Sequence, residues 1–157
     1  MSSLYSSNLL SAISSECKRL FKVDDVEIIW VEGDIRPNEP NLWGIYTWWN
    51  KQIKIKIRPD LLSMLETLCH EIVHHIQYRN GELFFGRYES GKRISIYKGV
   101  EYTLCDRPMS KNEVTYWNAP WEVDARKYQT RLFDHFASKA SISLVKAIRE
   151  IVSRRVA

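Results

Sequence analysis

Residues 65–78 read LETLCHEIVHHIQY and contain three of the chain's four histidines. Within that stretch His70, Glu71 and His74 spell HExxH. On a helix, positions i and i+4 share a face one turn apart. Two imidazoles at that spacing can bind a single Zn²⁺. Glu71 lies about 100° round the helix, so it can approach a water at the metal without being a ligand. A metal lowers the pKa of water and a carboxylate beside it accepts the proton, which is the mechanical logic of the motif. The bland alternative is a polar helix face with incidental histidines. His75 is read as a partly exposed polar residue, with orientation of Glu71 or of a substrate as its functional alternative.

A catalytic zinc needs a third protein ligand and an open position. The form HExxHxxGxxH is excluded, because Gln77 and Asn80 stand where Gly and His are required. Outside the stretch the remaining histidine is His135. The better candidate lies in NAPWEVDARKYQTRLF, residues 118–133. There Trp121, Ala125, Tyr128 and Leu132 form an apolar stripe, and Glu122 stands beside it in the first turn. The helix dipole favours a carboxylate at that end. The small Ala125 would let this helix approach the HExxH helix closely. Asp124 points elsewhere by helical geometry and is read as charge complementing the dipole, with a supporting or substitute ligand as its alternative. Gln77 is equally a solvated residue or a partner to a ligand. As donor to a developing oxyanion, Tyr116 is selected, with Tyr102, Tyr128, Arg126 and His135 as rivals.

Together, LETLCHEIVHHIQY and YWNAPWEVDARKYQTRLF resemble the zincin metallopeptidases whose third ligand is a glutamate, the gluzincin type. More narrowly, the pair is similar to small ImmA/IrrE-like peptidases and their compact, often phage-borne, relatives. Their later E-x-[E/D]-A-x-x-aromatic segment reads here Glu122, Val123, Asp124, Ala125, Arg126, Lys127, Tyr128. The resemblance implies His70, His74 and Glu122 as zinc ligands and Glu71 as general base. It implies a protein or peptide substrate, and a small sheet ahead of the active-site helix. Residues 82–118 depart from the pattern, and no helix-turn-helix is appended. The alternative function is a structural or interaction protein on the same scaffold, such as a phage component.

These side chains act together only if two helices are held against each other by the rest of the chain. Residues 8–22 carry Leu9, Leu10, Ile13, Cys17, Leu20 and Phe21 at helical spacing. VEIIWV (26–31) predicts a strand, and 32–41, with two prolines and two asparagines, a loop. Residues 42–49 and 51–59 flank Asn50-Lys51 as a hairpin. In the second strand Ile53, Ile55 and Ile57 alternate with Gln52, Lys54, Lys56 and Arg58, which suits a half-buried antiparallel strand. Its lysines suit an edge, where an extended substrate could add as a strand; a covered edge is the alternative. Asp60 caps the HExxH helix, Leu61, Leu65, Leu68, Ile72 and Ile76 form its stripe, and Asn80-Gly81 stops it. Residues 82–118 show no strong period beyond RISIYKG and VEYTL. Helices follow over about 120–137 and 141–155. This order predicts one α+β domain over residues 1–157, with a small, mainly antiparallel sheet packed on the N-terminal and HExxH helices. Most of the tryptophans are assigned to packing, with some lining a peptide groove.

Charged residues make up 27% and apolar residues 45%, an ordinary balance for a globular chain. Apolar runs are too short to span a bilayer, and no secretory leader is read at the start. Three cysteines without CxxC spacing argue against a disulfide framework or a cysteine-rich zinc site, and point to a reducing, cytoplasmic setting. The net charge of +4 is accounted for by Lys139, Lys146, Arg149, Arg154 and Arg155 against Glu150. That end is read as the solvated face of a helix. No nucleic-acid motif is present, so a nucleic-acid partner is disfavoured.

Overall fold

The structure, a computed structural model, describes residues 4–87, 90–91 and 93–156. It is α+β. In chain order the elements are α1 (Ser7–Phe21), β1 (Glu27–Val31), β2 (Gly44–Thr47), β3 (Gln52–Lys56), α2 (Leu61–Arg79), β4 (Leu83–Arg87), β5 (Arg93–Tyr97), β6 (Val100–Leu104), β7 (Glu113–Val114), α3 (Pro120–Lys139) and α4 (Ile142–Val156). Among the described residues no helix is long and apolar enough to cross a membrane.

The strands form two mixed sheets rather than one mainly antiparallel sheet. The first has the order β1-β3-β2, with β1 parallel and β2 antiparallel to β3. The lysine-bearing strand is therefore central, not an edge. Its buried face explains the choice: Ile53 and Ile55 are fully buried in the core shared with α1 and α2. Its polar face is half-buried, and at Lys56 it is covered. The Lys56 ammonium donates to Asp34 Oδ1 and to the Pro40 carbonyl, both at 2.8 Å, so the loop between β1 and β2 folds over it. That leaves β2 at the edge, beside α2.

The second sheet, β4-β5-β6-β7, is built from the segment that shows no strong period in sequence. Its β5–β6 hairpin turns on Lys98-Gly99, both at positive φ (49° and 81°). This two-residue turn matches the twist of the flanking strands, and glycine carries the second such position without a Cβ penalty. One face of the sheet closes on Trp121, the first sizeable side chain of α3. Phe85, Tyr97 and Tyr102 meet its indole edge-on at centroid distances of 6.4, 6.3 and 6.0 Å. Leu83, Tyr97, Ala119 and Trp121 form a second core of their own.

Helix α2 starts where expected: Asp60 Oδ1 accepts from the Ser63 N–H at 3.0 Å. Its apolar stripe packs toward the first sheet and α1, while its other side meets α3. Ala125 is fully buried at that junction, as a close helix approach requires. Helix α4 buries Leu144 and Ile148 and leaves Lys146, Arg149 and Arg154 exposed. The basic end is thus a solvated helix face; the Arg155 side chain lies outside the described residues. Of the tryptophans, Trp121 is buried, whereas Trp43 and Trp117 lie under the guanidiniums of Arg58 and Arg126 at 4.1 and 3.8 Å.

Candidate metal centre

Three ligand-type side chains converge between α2 and α3. Nε2 of His70 lies 3.1 Å from Oε2 of Glu122, and Nε2 of His74 lies 3.1 Å from Oε1 of the same carboxylate. The two Nε2 atoms are 3.1 Å apart. Ligand atoms around a tetrahedral zinc with bonds of about 2.0–2.1 Å sit about 3.3 Å from one another, so the observed triangle fits one small cation. His70, His74 and Glu122 are therefore close enough to bind a metal ion.

The groups behind the histidines strengthen this fit. His70 Nδ1 faces Gln129 Oε1 at 2.8 Å, and His74 Nδ1 faces Gln77 Oε1 at 2.9 Å. An amide oxygen only accepts, so a neutral imidazole beside it carries its hydrogen on Nδ1 and leaves the Nε2 lone pair for a cation. Gln77 is buried against His74 and not solvated, so of its two sequence readings the solvated one does not hold. Gln129 was not anticipated. It follows Glu122 by two helical turns on the same face of α3, and that i+7 spacing is the signal that identifies it.

Burial opposes a charge on His74, but Glu122 at hydrogen-bond distance and Glu71 nearby outweigh it and lift the imidazole to about 9. Burial likewise opposes the Glu122 carboxylate, while hydrogen bonds from both imidazoles hold it far below the ordinary carboxylate range. Glu71 is also buried, and burial raises its pKa. The imidazoles of His74 and His70 pull it down, Glu122 pushes it up, and the Tyr46 N–H favours its anion.

Glu71, His74 and Glu122 form one side of a cleft of about 270 Å³. Gly44, Ile45 and Tyr46 of β2, Arg36 and Leu42 of the preceding loop, Phe85 and Leu104 of the second sheet, and Tyr116 complete it. A Cβ at Gly44 would lie 2.6 Å from Thr67 Cγ2 and 3.2 Å from Glu71 Cγ, so only glycine lets β2 run this close to α2. The Tyr116 residue is 63% exposed overall. Its hydroxyl nevertheless faces Glu122 and Glu71, and loss of solvent there, with the two carboxylates, pushes the phenol well above its usual range.

The rival donors lie elsewhere. Tyr102 packs on Trp121, Tyr128 lies near Arg131, Arg126 holds the Trp117 ring and carbonyl, and His135 is exposed beside Phe21. Asp124 accepts from the Tyr97 hydroxyl at 2.5 Å and pairs with Lys98 at 3.4 Å. It ties the second sheet to α3 rather than serving only the helix dipole. His75 departs from its expectation most. It is 1% exposed, with Nε2 at 2.9 Å from Asp25 Oδ1 and Nδ1 at 3.0 Å from the Tyr46 hydroxyl. A buried imidazole needs partners on both nitrogens, and these come from the turn before β1 and from β2. His75 thus pins α2 to the first sheet, bonded to Asp25 and Tyr46 and not to the His70–His74–Glu122 cluster.

A wider groove along α3 and α4, lined by Ala137, Val145, Arg149 and Arg154 among others, contains none of the ligand residues. Comparison of the chain with protein-family models, curated proteins and solved structures returns no match, so the candidate centre stands on its own geometry.

Proposed function

We propose that the chain is a zinc-dependent metallopeptidase. The observation that carries this reading is the convergence of His70 Nε2, His74 Nε2 and the Glu122 carboxylate beside a cleft lined by His74, Glu122 and Glu71. Two imidazoles and one carboxylate, with a further position open, is the donor pattern of catalytic zinc. A zinc ion held there supplies Lewis acidity, lowering the pKa of water and polarising a carbonyl.

The remaining work belongs to the chain's own side chains. Glu71 takes a proton from the attacking water and passes it to the leaving nitrogen as the C–N bond breaks, giving a carboxylate and an amine. Burial of Glu71 raises its pKa, which suits a group that must both accept and return a proton near neutral pH. The Tyr116 hydroxyl donates to the oxygen that becomes negative when water adds to the carbonyl. The substrate backbone runs along the outer edge of β2, which pairs with β3 alone among the described residues.

The test combines zinc stoichiometry of the purified chain, reloaded with zinc, with digestion of a broad peptide library in the presence and absence of chelator. The reading expects about one zinc per chain and chelator-sensitive cleavage. Failure to bind zinc in a fixed ratio contradicts it. Zinc binding that raises stability while every peptide survives favours the non-catalytic scaffold instead.

A further inference from the structure

Gln77 lies three residues after His74, and both ends of its side-chain amide are engaged. Its Oε1 lies 2.9 Å from His74 Nδ1, and its Nε2 donates to the Trp121 carbonyl at 3.0 Å. A backbone carbonyl only accepts, so the amide must turn its NH₂ group to Trp121 and its oxygen to His74. That oxygen also only accepts, so a neutral His74, the form that binds a cation, carries its hydrogen on Nδ1. The residue after Trp121 is Glu122. One buried side chain therefore fixes an imidazole on α2 and holds the first turn of α3 that carries the carboxylate.

His70 is held less firmly. Gln129 is half-buried, and its Oε1 meets His70 Nδ1 at 2.8 Å. Among the described residues its Nε2 has no hydrogen-bond partner to fix which way the amide faces. The two histidines thus differ in how completely they are set before any cation arrives.

We infer that Gln77 is a positioning residue of the metal centre, locking His74 as the Nδ1–H tautomer and setting its distance to Glu122 across the two helices. This rests on the metal-binding reading of the site and not on hydrolysis. Gln129 orients a single ligand; Gln77 acts on two.

The experiment is a zinc competition titration against a chromophoric chelator, on the full chain, for wild type, Gln77→Met and Gln129→Met. Methionine keeps the length of the side chain and removes its oxygen acceptor and nitrogen donor. Gln77→Met is expected to weaken zinc binding by about 10- to 100-fold, the usual range for losing a ligand's hydrogen-bond partner, and by more than Gln129→Met. Long-range ¹H–¹⁵N spectra of zinc-loaded wild type are expected to show His74 protonated at Nδ1. Unchanged zinc affinity in a Gln77→Met protein with native circular dichroism overturns the inference. Metallation of wild-type His74 through Nδ1 also overturns it, and decides the matter where the variant does not fold. Wild type that takes up no zinc removes the metal reading and this inference together, whereas zinc-binding wild type with an indifferent Gln77 removes the inference alone.

Discussion

His70 and His74 bring their Nε2 atoms to 3.1 Å of each other, with both Nδ1 atoms turned toward glutamine oxygens. Two lone pairs at that distance repel unless a positive charge lies between them and Glu122. In the absence of a cation a proton on His74 supplies that charge, and the Glu122 carboxylate, which raises the imidazole's pKa, favours it there.

Stability of the chelated protein should therefore depend on pH. His74 rises from its ordinary 6.5 to about 9 on folding, so its contribution is complete below about 6.5 and is lost as pH rises through about 9. Glu122 is depressed, so its contribution is present above its ordinary 4.5 and is lost as pH falls toward its low folded value. Thermal melts with chelator should fall between pH 6.5 and 9, and substitution of His74 by Gln should flatten that part of the profile.

Zinc should reverse the dependence. A cation must displace the proton on His74, so binding at pH 7.5 should release protons and weaken as pH falls. Calorimetry in buffers of different ionisation enthalpy measures the number released. Zinc at a hundred times its dissociation constant adds about 2.7 kcal/mol, or about 5–10 °C of melting temperature in a chain of this size. Glu122→Ala should lose that increment.

Gly44→Ala places a methyl against Thr67 and Glu71. Overpacking of this kind costs about 1–3 kcal/mol. Thr67 must shift, and Glu71, with its Cγ at 3.2 Å, must also give way, so peptide hydrolysis should fall further than the melting temperature alone explains. Equal activity per folded molecule would show that β2 has room to move.

Tyr97→Phe removes the hydroxyl that donates to Asp124. Loss of a hydrogen bond to a charged group costs about 1.5–3 kcal/mol. Hydrogen exchange should rise in β4–β6 and in the first turn of α3, while α1 and β3 keep their protection.

Local spacing made the three converging side chains legible. HExxH and the dipole-favoured Glu122 follow from helical geometry within short windows, and Ala125 announced the close approach of α2 and α3. What escaped notice depends on distant partners. His75 has the same local pattern as a surface residue, and Asp25, fifty positions earlier, determines its burial. The order β1-β3-β2 depends on a loop that folds over Lys56, which the alternation of β3 does not encode. The second sheet is assembled from short strands whose apolar face appears only when Trp121 is set against it, although RISIYKG and VEYTL marked two of its strands.

The central claim is that Glu71 performs proton transfer beside a zinc held by three other side chains. Its most direct test is the peptide-hydrolysis rate of zinc-loaded Glu71→Gln, assayed at equal metal content with wild type. The account predicts full zinc occupancy and a rate lowered by about 10²- to 10⁴-fold, the usual range for a general base. A Glu71→Gln protein that holds its zinc and cleaves peptides at the wild-type rate would contradict it.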